Sequence, residues 1–97
     1  MSEEKFETLL QTPAFLLERI TSLGHTTPPG QWYDQIRDEW VMLIQGAAQL
    51  RMENCESLVN LLPGDHIHLP AHCRHRVEWT DPDQETVWIA LHYTPES

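Results

Sequence analysis

Short apolar or alternating segments, separated by Pro, Gly and Asp breakers, run through most of the chain and predict β structure. Strands are expected at residues 15–22, 39–45, 48–52, 57–62, 66–69, 74–80 and 86–93. Turn-forming residues lie between them at 26–30, 53–56, 63–65 and 80–83, and the turn at 53–56 predicts a β-hairpin. About seven or eight short strands at this spacing are typical of an antiparallel sandwich or barrel.

The period of the strands predicts which side chains point inward. In residues 74–80, alternation places His75, Val77 and Trp79 on one face, so His75 is expected to face the interior. In residues 86–93 both faces are apolar, which predicts a strand that is covered on both sides.

The N-terminal segment differs in composition from the strands that follow it. Residues 3–10 begin with glutamates and carry Phe6, Leu9 and Leu10, and Pro13 would stop a helix from continuing. We therefore expect a short helix or arm at residues 1–13, a single β-barrel domain at 14–93 and a tail at 94–97.

Composition and charge narrow the partners of the protein. Its 97 residues, 40% of them hydrophobic, suffice for one domain. Fifteen acidic against six basic residues give a formal charge of −9, which repels nucleic-acid phosphates and anionic lipid, so neither is an expected partner. No apolar run approaches the roughly 18 residues of a membrane span. The acidic start differs from a secretory signal, which favours a cytoplasmic location.

Histidines and cysteines are concentrated between residues 66 and 75 without forming a zinc motif. If the apolar residues of 66–69 face the core, His66 and His68 project away from His75, so these rings cannot share one ion. His66 and His68 are therefore expected at a surface or an interface. Cys55 and Cys73 form no C-x-x-C pair and are expected to be reduced thiols.

Two segments resemble the paired motifs of the cupin family, whose general forms are G-x5-H-x-H-x3or4-E-x6-G and G-x5-P-x-G-x2-H-x3-N. The second motif is matched by Gly64, Pro70 and His75. His72 lies where a Gly is usual, and Trp79 lies where an Asn is usual. The resemblance covers about residues 14–93 and implies an all-β, antiparallel jelly-roll β-barrel, here with a short N-terminal helical segment.

The first cupin motif is only partly present. Glu39 and Gly46 match its spacing, and Gly30 lies upstream but nearer to the glutamate than the first glycine of the motif, whose two histidines are missing. Their places fall on Tyr33 and Gln35 if three residues precede the glutamate, or on Trp32 and Asp34 if four do.

In cupins, the two histidines of the first motif, its glutamate and the histidine of the second motif hold a divalent metal such as iron, manganese, zinc or nickel. The resemblance assigns two of these four ligands to Glu39 and His75, with Gln35, Tyr33 or Asp34 as candidates to complete the site. Such a mixed oxygen and nitrogen set suits a hard or borderline cation. The alternative is a metal-free polar cavity in which Glu39 and His75 bond each other.

A ligand pocket is predicted at Trp32, Tyr33, Trp79 and His92. The rings of Trp32 and Tyr33 can stack on a small organic ligand at a pocket mouth, and core packing is the alternative for such aromatic residues. His92 shares its strand face with Trp88 and Ala90, which places it in the cavity or in an interface.

Three functions remain open on these grounds. The first is a metal-dependent enzyme or metal-bound ligand pocket, in which the metal would polarise an oxygen-bearing substrate. The second is a non-catalytic, metal-free module that binds or senses a small molecule and acts through a partner protein. The third is metal-free acid/base catalysis, with His75 as base and Tyr33 as acid. Cupins often dimerise through sheet surfaces, so a homodimer is expected.

Overall fold

The computed structural model describes residues 4–53 and 55–94, which form eight β-strands in two antiparallel sheets. The strands are β1 (Lys5–Gln11), β2 (Phe15–Ser22), β3 (Asp38–Gln45), β4 (Ala48–Met52), β5 (Leu58–Leu61), β6 (His66–Leu69), β7 (His75–Thr80) and β8 (Thr86–Tyr93). All seven predicted strands are present, each with its ends displaced by at most one residue. Within the described residues there is no helix that is long and apolar enough to cross a membrane. The predicted all-β antiparallel fold is confirmed.

Strand β8 lies in the middle of the larger sheet. The order of that sheet is β1-β2-β8-β3-β6, and the order of the smaller one is β5-β4-β7. Strand β3 pairs with β8 on one side and with β6 on the other. In this register Glu39 lies opposite both His92 and Leu69. The glutamate of the first motif is thereby fixed between two neighbouring strands.

Both sheets contribute to one hydrophobic core. The larger sheet supplies Val41, Leu43, Leu69, Trp88 and Ala90, and the smaller sheet supplies Ala48, Leu50 and Leu61. Alternation along β8 places Trp88 and Ala90 on the buried face, and Ile89 between them is half-buried on the other face. In β6 the same alternation buries Leu69 and exposes His66 and His68, as predicted.

The predicted N-terminal helix is wrong. Lys5–Gln11 instead form β1, which pairs antiparallel with β2 at the edge of the larger sheet. A helix of about eight residues is marginal in water, whereas the edge of β2 offers a row of backbone donors and acceptors. Thr12 completes the hairpin, because its hydroxyl oxygen accepts the N–H groups of Ala14 and Phe15 at 3.1 and 3.2 Å.

A β-bulge in β7 breaks the alternation that the sequence predicts there. Two adjacent residues of β4 pair with Val77 and Trp79, which leaves Glu78 as an extra residue. Trp79 is consequently 39% exposed. The expectation that Trp79 faces the interior is therefore wrong, whereas His75, before the bulge, is buried as expected.

Three predicted segments extend beyond the described residues. Strands β4 and β5 form the expected hairpin, but residue 54 of its turn lies outside that range. Residues 1–3 of the predicted arm and residues 95–97 of the predicted tail lie outside it as well.

Gly46, which follows β3, is expected to reject any side chain. Its φ is 89°, and a Cβ atom there would lie 2.7 Å from the Cα of Thr86. Gly64 has a similar φ of 92° but no atom within 4 Å of such a Cβ. We expect Gly64→Ala to lower the free energy of unfolding by about 1–2 kcal/mol through its left-handed φ. Gly46→Ala should cost about 1–3 kcal/mol more through overpacking.

Urea unfolding of the two alanine variants measures this difference, and Gly64→Ala serves as the matched control for backbone strain. Equal free energies of unfolding for the two variants would contradict the close approach of Gly46 to Thr86.

Candidate functional site

A cavity of about 90 Å³ lies between the two sheets. Most of its wall is apolar and consists of Ile20, Val41, Leu50, Leu69, Val77 and Trp88, with Phe6 at the side of β1. Glu4 also lines the cavity at that side. Two carboxyl groups and two imidazoles enter it from four different strands, β2, β3, β7 and β8: Glu18, Glu39, His75 and His92. Tyr33 and Gln35, in the segment before β3, complete the polar lining. Ionisable groups in an apolar cavity mark a candidate binding or catalytic site.

Glu39 and His75 face each other across this cavity. His75 Nε2 lies 3.7 Å from Glu39 Oε1, and both side chains are buried. His75 Nδ1 lies 2.9 Å from the carbonyl oxygen of Cys73. Because a carbonyl oxygen can only accept, Nδ1 carries the hydrogen, so in the uncharged form of the ring Nε2 holds a lone pair and faces the Glu39 carboxyl.

The Glu39 carboxyl therefore lacks a hydrogen-bond partner at one of its oxygens. Oε1 is buried and accepts no hydrogen bond, and the 3.7 Å gap to His75 is too long for one. Burial raises the pKa of Glu39 above its ordinary value of 4.5, an effect that nearby His92 and His75 oppose. The carboxyl consequently keeps its proton to higher pH than an exposed glutamate does.

Glu18 is a site residue that the sequence reasoning missed. Its Oε1 accepts a hydrogen bond from His92 Nε2 at 2.8 Å, and the same nitrogen is 3.9 Å from Glu39 Oε2. His92 lines the cavity. The available signal for Glu18 was that it is the first of two charged residues, with Arg19, after the apolar run 15–17 of a predicted strand.

Tyr33 and Gln35 reach the cavity from a segment whose backbone is hydrogen-bonded to β7. Tyr33 and His75 exchange two backbone hydrogen bonds of 2.7 and 3.1 Å. Their rings stack with centroids 5.5 Å apart. Burial raises the pKa of the Tyr33 phenol, which stays protonated at neutral pH. The amide oxygen of Gln35 is buried and has no hydrogen-bond partner.

The structure places the other predicted site residues outside the cavity. Asp34 is exposed and pairs with His72 at 2.9 Å. Trp32 lies beside two guanidinium groups, those of Arg74 and Arg76, at 5.9 and 6.0 Å from its ring centroid. Neither Trp32 nor the outward-facing Trp79 lines the cavity. The structure brings Glu39, His75, Tyr33, Gln35 and His92 together, but it does not bring Asp34, Trp32 or Trp79 to them.

His72 holds the segment before β3 against the loop that precedes β7. Its N–H donates to the carbonyl of Gln35 at 2.8 Å, and its ring donates to Asp34. Its φ is 63°, the only positive φ of a non-glycine residue in the described chain. A Gly at this place, as in the general motif, would adopt that conformation without strain.

Solved structures provide direct counterparts to this fold. A provisionally assigned mannose-6-phosphate isomerase from Ralstonia eutropha JMP134 is 45% identical, with a TM-score of 0.94, over 98% of this chain and 88% of that one. A cupin superfamily protein from Desulfitobacterium hafniense DCB-2 is 15% identical, with a TM-score of 0.79, over 96% and 79% of the two chains. The chain belongs to the cupin superfamily.

More distant cupins share the fold alone. The cupin domain of Schizosaccharomyces pombe Cnp3 is 13% identical, with a TM-score of 0.80, over 95% of this chain and 61% of that one. No family model matches the chain, and no curated protein matches it either.

The donor set of this cupin does not fit the divalent metal that the motif resemblance implies. In residues 4–53 and 55–94, no three His, Cys, Asp or Glu side chains are arranged to hold a metal ion. His92 Nε2 donates its hydrogen to Glu18 and so offers a metal ion no lone pair. One imidazole nitrogen, the Glu39 carboxylate and the neutral amide oxygen of Gln35 remain, whereas catalytic zinc sites typically have three His, Cys or carboxylate ligands.

Glu39→Gln is expected to stabilise the protein at high pH. In the unfolded chain Glu39 ionises near 4.5, while in the fold it ionises at higher pH. The wild-type protein therefore loses stability as the pH rises from about 4.5 through the folded pKa. We expect the Tm of the variant to match the wild type at pH 4 and to exceed it at pH 8. The expected excess is about 4 °C or more, the shift that 1 kcal/mol produces in a domain of this size.

Glu85→Gln is the matched control, because Glu85 is exposed and the substitution removes the same charge. Its Tm should follow the wild type at both pH values. A constant Tm difference between Glu39→Gln and the wild type across this range would contradict the raised pKa.

Two substitutions of His72 separate backbone strain from the side-chain contact. Both His72→Gly and His72→Ala remove the bond to Asp34, but only glycine relieves the positive φ. We expect the glycine variant to be more stable than the alanine variant by about 1 kcal/mol in urea unfolding. An alanine variant of equal or greater stability would show that residue 72 is unstrained.

Proposed function

We propose that this cupin binds a small hydroxyl- or carbonyl-bearing organic molecule in its cavity and transfers a proton on it without a metal ion. The observation that carries the proposal is that Glu39 Oε1, which is buried without a hydrogen-bond partner, lies 3.7 Å from His75 Nε2 in an apolar cavity. An oxygen atom of a ligand can lie at about 2.7–3.0 Å from both.

The two groups suit opposite roles in proton transfer. Glu39, whose pKa burial raises, can donate a proton as general acid. His75 is oriented by the carbonyl of Cys73 so that its free Nε2 can accept one as general base. A base whose direction is fixed by a third group is the usual arrangement in acid/base sites.

The neutral groups of the cavity support ligand binding. The protonated phenol of Tyr33 lies over His75 and can donate a hydrogen bond to a ligand oxygen. The unpartnered amide oxygen of Gln35 can accept a hydrogen bond from a hydroxyl. Because buried polar groups are normally satisfied, the unpartnered oxygens of Gln35 and Glu39 favour a polar ligand in the cavity.

The likeness to the Ralstonia eutropha protein supports this class of reaction. Interconversion of an aldose and a ketose moves hydrogen between neighbouring carbon atoms, which an acid/base pair can carry out as proton transfers. Mannose 6-phosphate is therefore the first substrate to test on this chain.

Exchange of the C2 hydrogen of mannose 6-phosphate in D2O tests the proposal. We expect EDTA-treated protein to remove the C2–H signal from the proton NMR spectrum of the sugar. Glu39→Gln and His75→Gln should each slow this exchange by about 100-fold or more, the usual contribution of a general acid or base. Glu85→Gln is the control and should exchange at the wild-type rate.

Elemental analysis of the same samples distinguishes the metal-free mechanism from the metal-dependent alternative. Exchange that appears only after addition of iron, manganese, zinc or nickel would overturn the metal-free mechanism. Binding of the sugar without any exchange of its C2 hydrogen would refute the proposed proton transfer and indicate a ligand-binding module.

A further inference from the structure

A second hollow adjoins the cavity on its outer side. This outer cleft measures about 390 Å³ and is lined by Leu16, Asp34, Gln35, Ile36, Arg37 and His92. Gln35 and His92 line the cavity as well, so the two hollows meet at these side chains. A molecule that enters through the outer cleft would reach Glu39 and His75 past Gln35.

Arg37 is the one arginine in the lining of this cleft, and it has no partner among residues 4–53 and 55–94. Four of the five arginines form ion pairs with glutamates: Arg19 with Glu7, Arg51 and Arg76 with Glu78, and Arg74 with Glu53. Arg37 forms no hydrogen bond or ion pair within the described part of the chain, although it is half-buried. In a chain with fifteen acidic residues, an arginine left unpaired is a departure from the rest of the molecule.

The other charged groups of the cleft are already engaged. The carboxylate of Asp34 accepts a hydrogen bond from His72, and His92 donates to Glu18. The guanidinium of Arg37 is therefore left to bind a ligand. A planar guanidinium matches carboxylate and phosphate through two parallel hydrogen bonds.

We propose that Arg37 and the outer cleft form an oxyanion subsite. The ligand then carries a carboxylate or phosphate that Arg37 holds, and a hydroxyl or carbonyl end that passes Gln35 into the cavity. This inference rests on the proposed function, because it assigns the reacting end of the same ligand to Glu39 and His75.

Three sugars with one carbon skeleton test the subsite by calorimetric titration: mannose, mannose 6-phosphate and mannuronate. Arg37→Gln should weaken binding of the sugar with the preferred anion by about 10- to 100-fold, the range expected for a hydrogen bond to a charged group. Binding of neutral mannose should change less than twofold. Arg37→Lys, which keeps the charge but not the two parallel bonds, should fall between the wild type and Arg37→Gln. The anionic sugar whose binding is weakened by Arg37→Gln shows whether the subsite prefers phosphate or carboxylate.

Arg19→Gln is the matched control, because it removes the same charge from the edge hairpin. Titration of inorganic phosphate and acetate, followed by the Nε–H NMR signal of Arg37, measures the subsite independently of the sugar. Unchanged binding of both anionic sugars to Arg37→Gln, with no response of this signal, would overturn the subsite. A response at Arg37 without proton exchange at C2 would instead support the subsite and refute the proposed reaction.

Discussion

Removal of the Glu39 carboxyl from water is the constraint on which the site depends. An apolar cavity penalises its charge, and either neighbouring imidazole, at 3.7 or 3.9 Å, reduces that penalty when its ring is protonated. One of these rings is engaged by Glu18, and the other is fixed by a backbone carbonyl. Both imidazoles beside Glu39 are therefore positioned by other groups, and the strands that carry them must keep their register for the arrangement to persist.

The sequence predicted most of the strands because their apolar and alternating patterns agree with the final sheets. It also indicated Glu39 and His75 through the spacing of two motifs. It could not show β1, because the edge of β2 overrides a weak local preference for helix. Trp79 departs from the prediction because one bulge reverses the side-chain direction after Val77. Glu18 required the pairing of β2 with β8, which no local pattern reveals.

The structure also decides between the two spacings that the first motif left open. Tyr33 and Gln35 line the cavity, whereas Trp32 and Asp34 do not. The places of two imidazole ligands are thus taken by a phenol and an amide, which are neutral at physiological pH. Neutral hydrogen-bonding groups suit an organic molecule better than a divalent cation, which is why we propose an organic ligand for this cavity.

The central position of β8 has a consequence for the order of folding. Strands β2 and β3 are both paired to β8. However, β2 ends at Ser22 and β3 at Gln45, whereas β8 begins only at Thr86, so residues 46–85 lie between even the nearer strand and β8. Contacts of such long sequence separation form slowly, because the intervening loop must close first. Until β8 inserts, β2 and β3 carry exposed edges that can pair with other chains. The same insertion brings His92 to Glu39, so the cavity acquires its polar lining only when the sheet itself is completed.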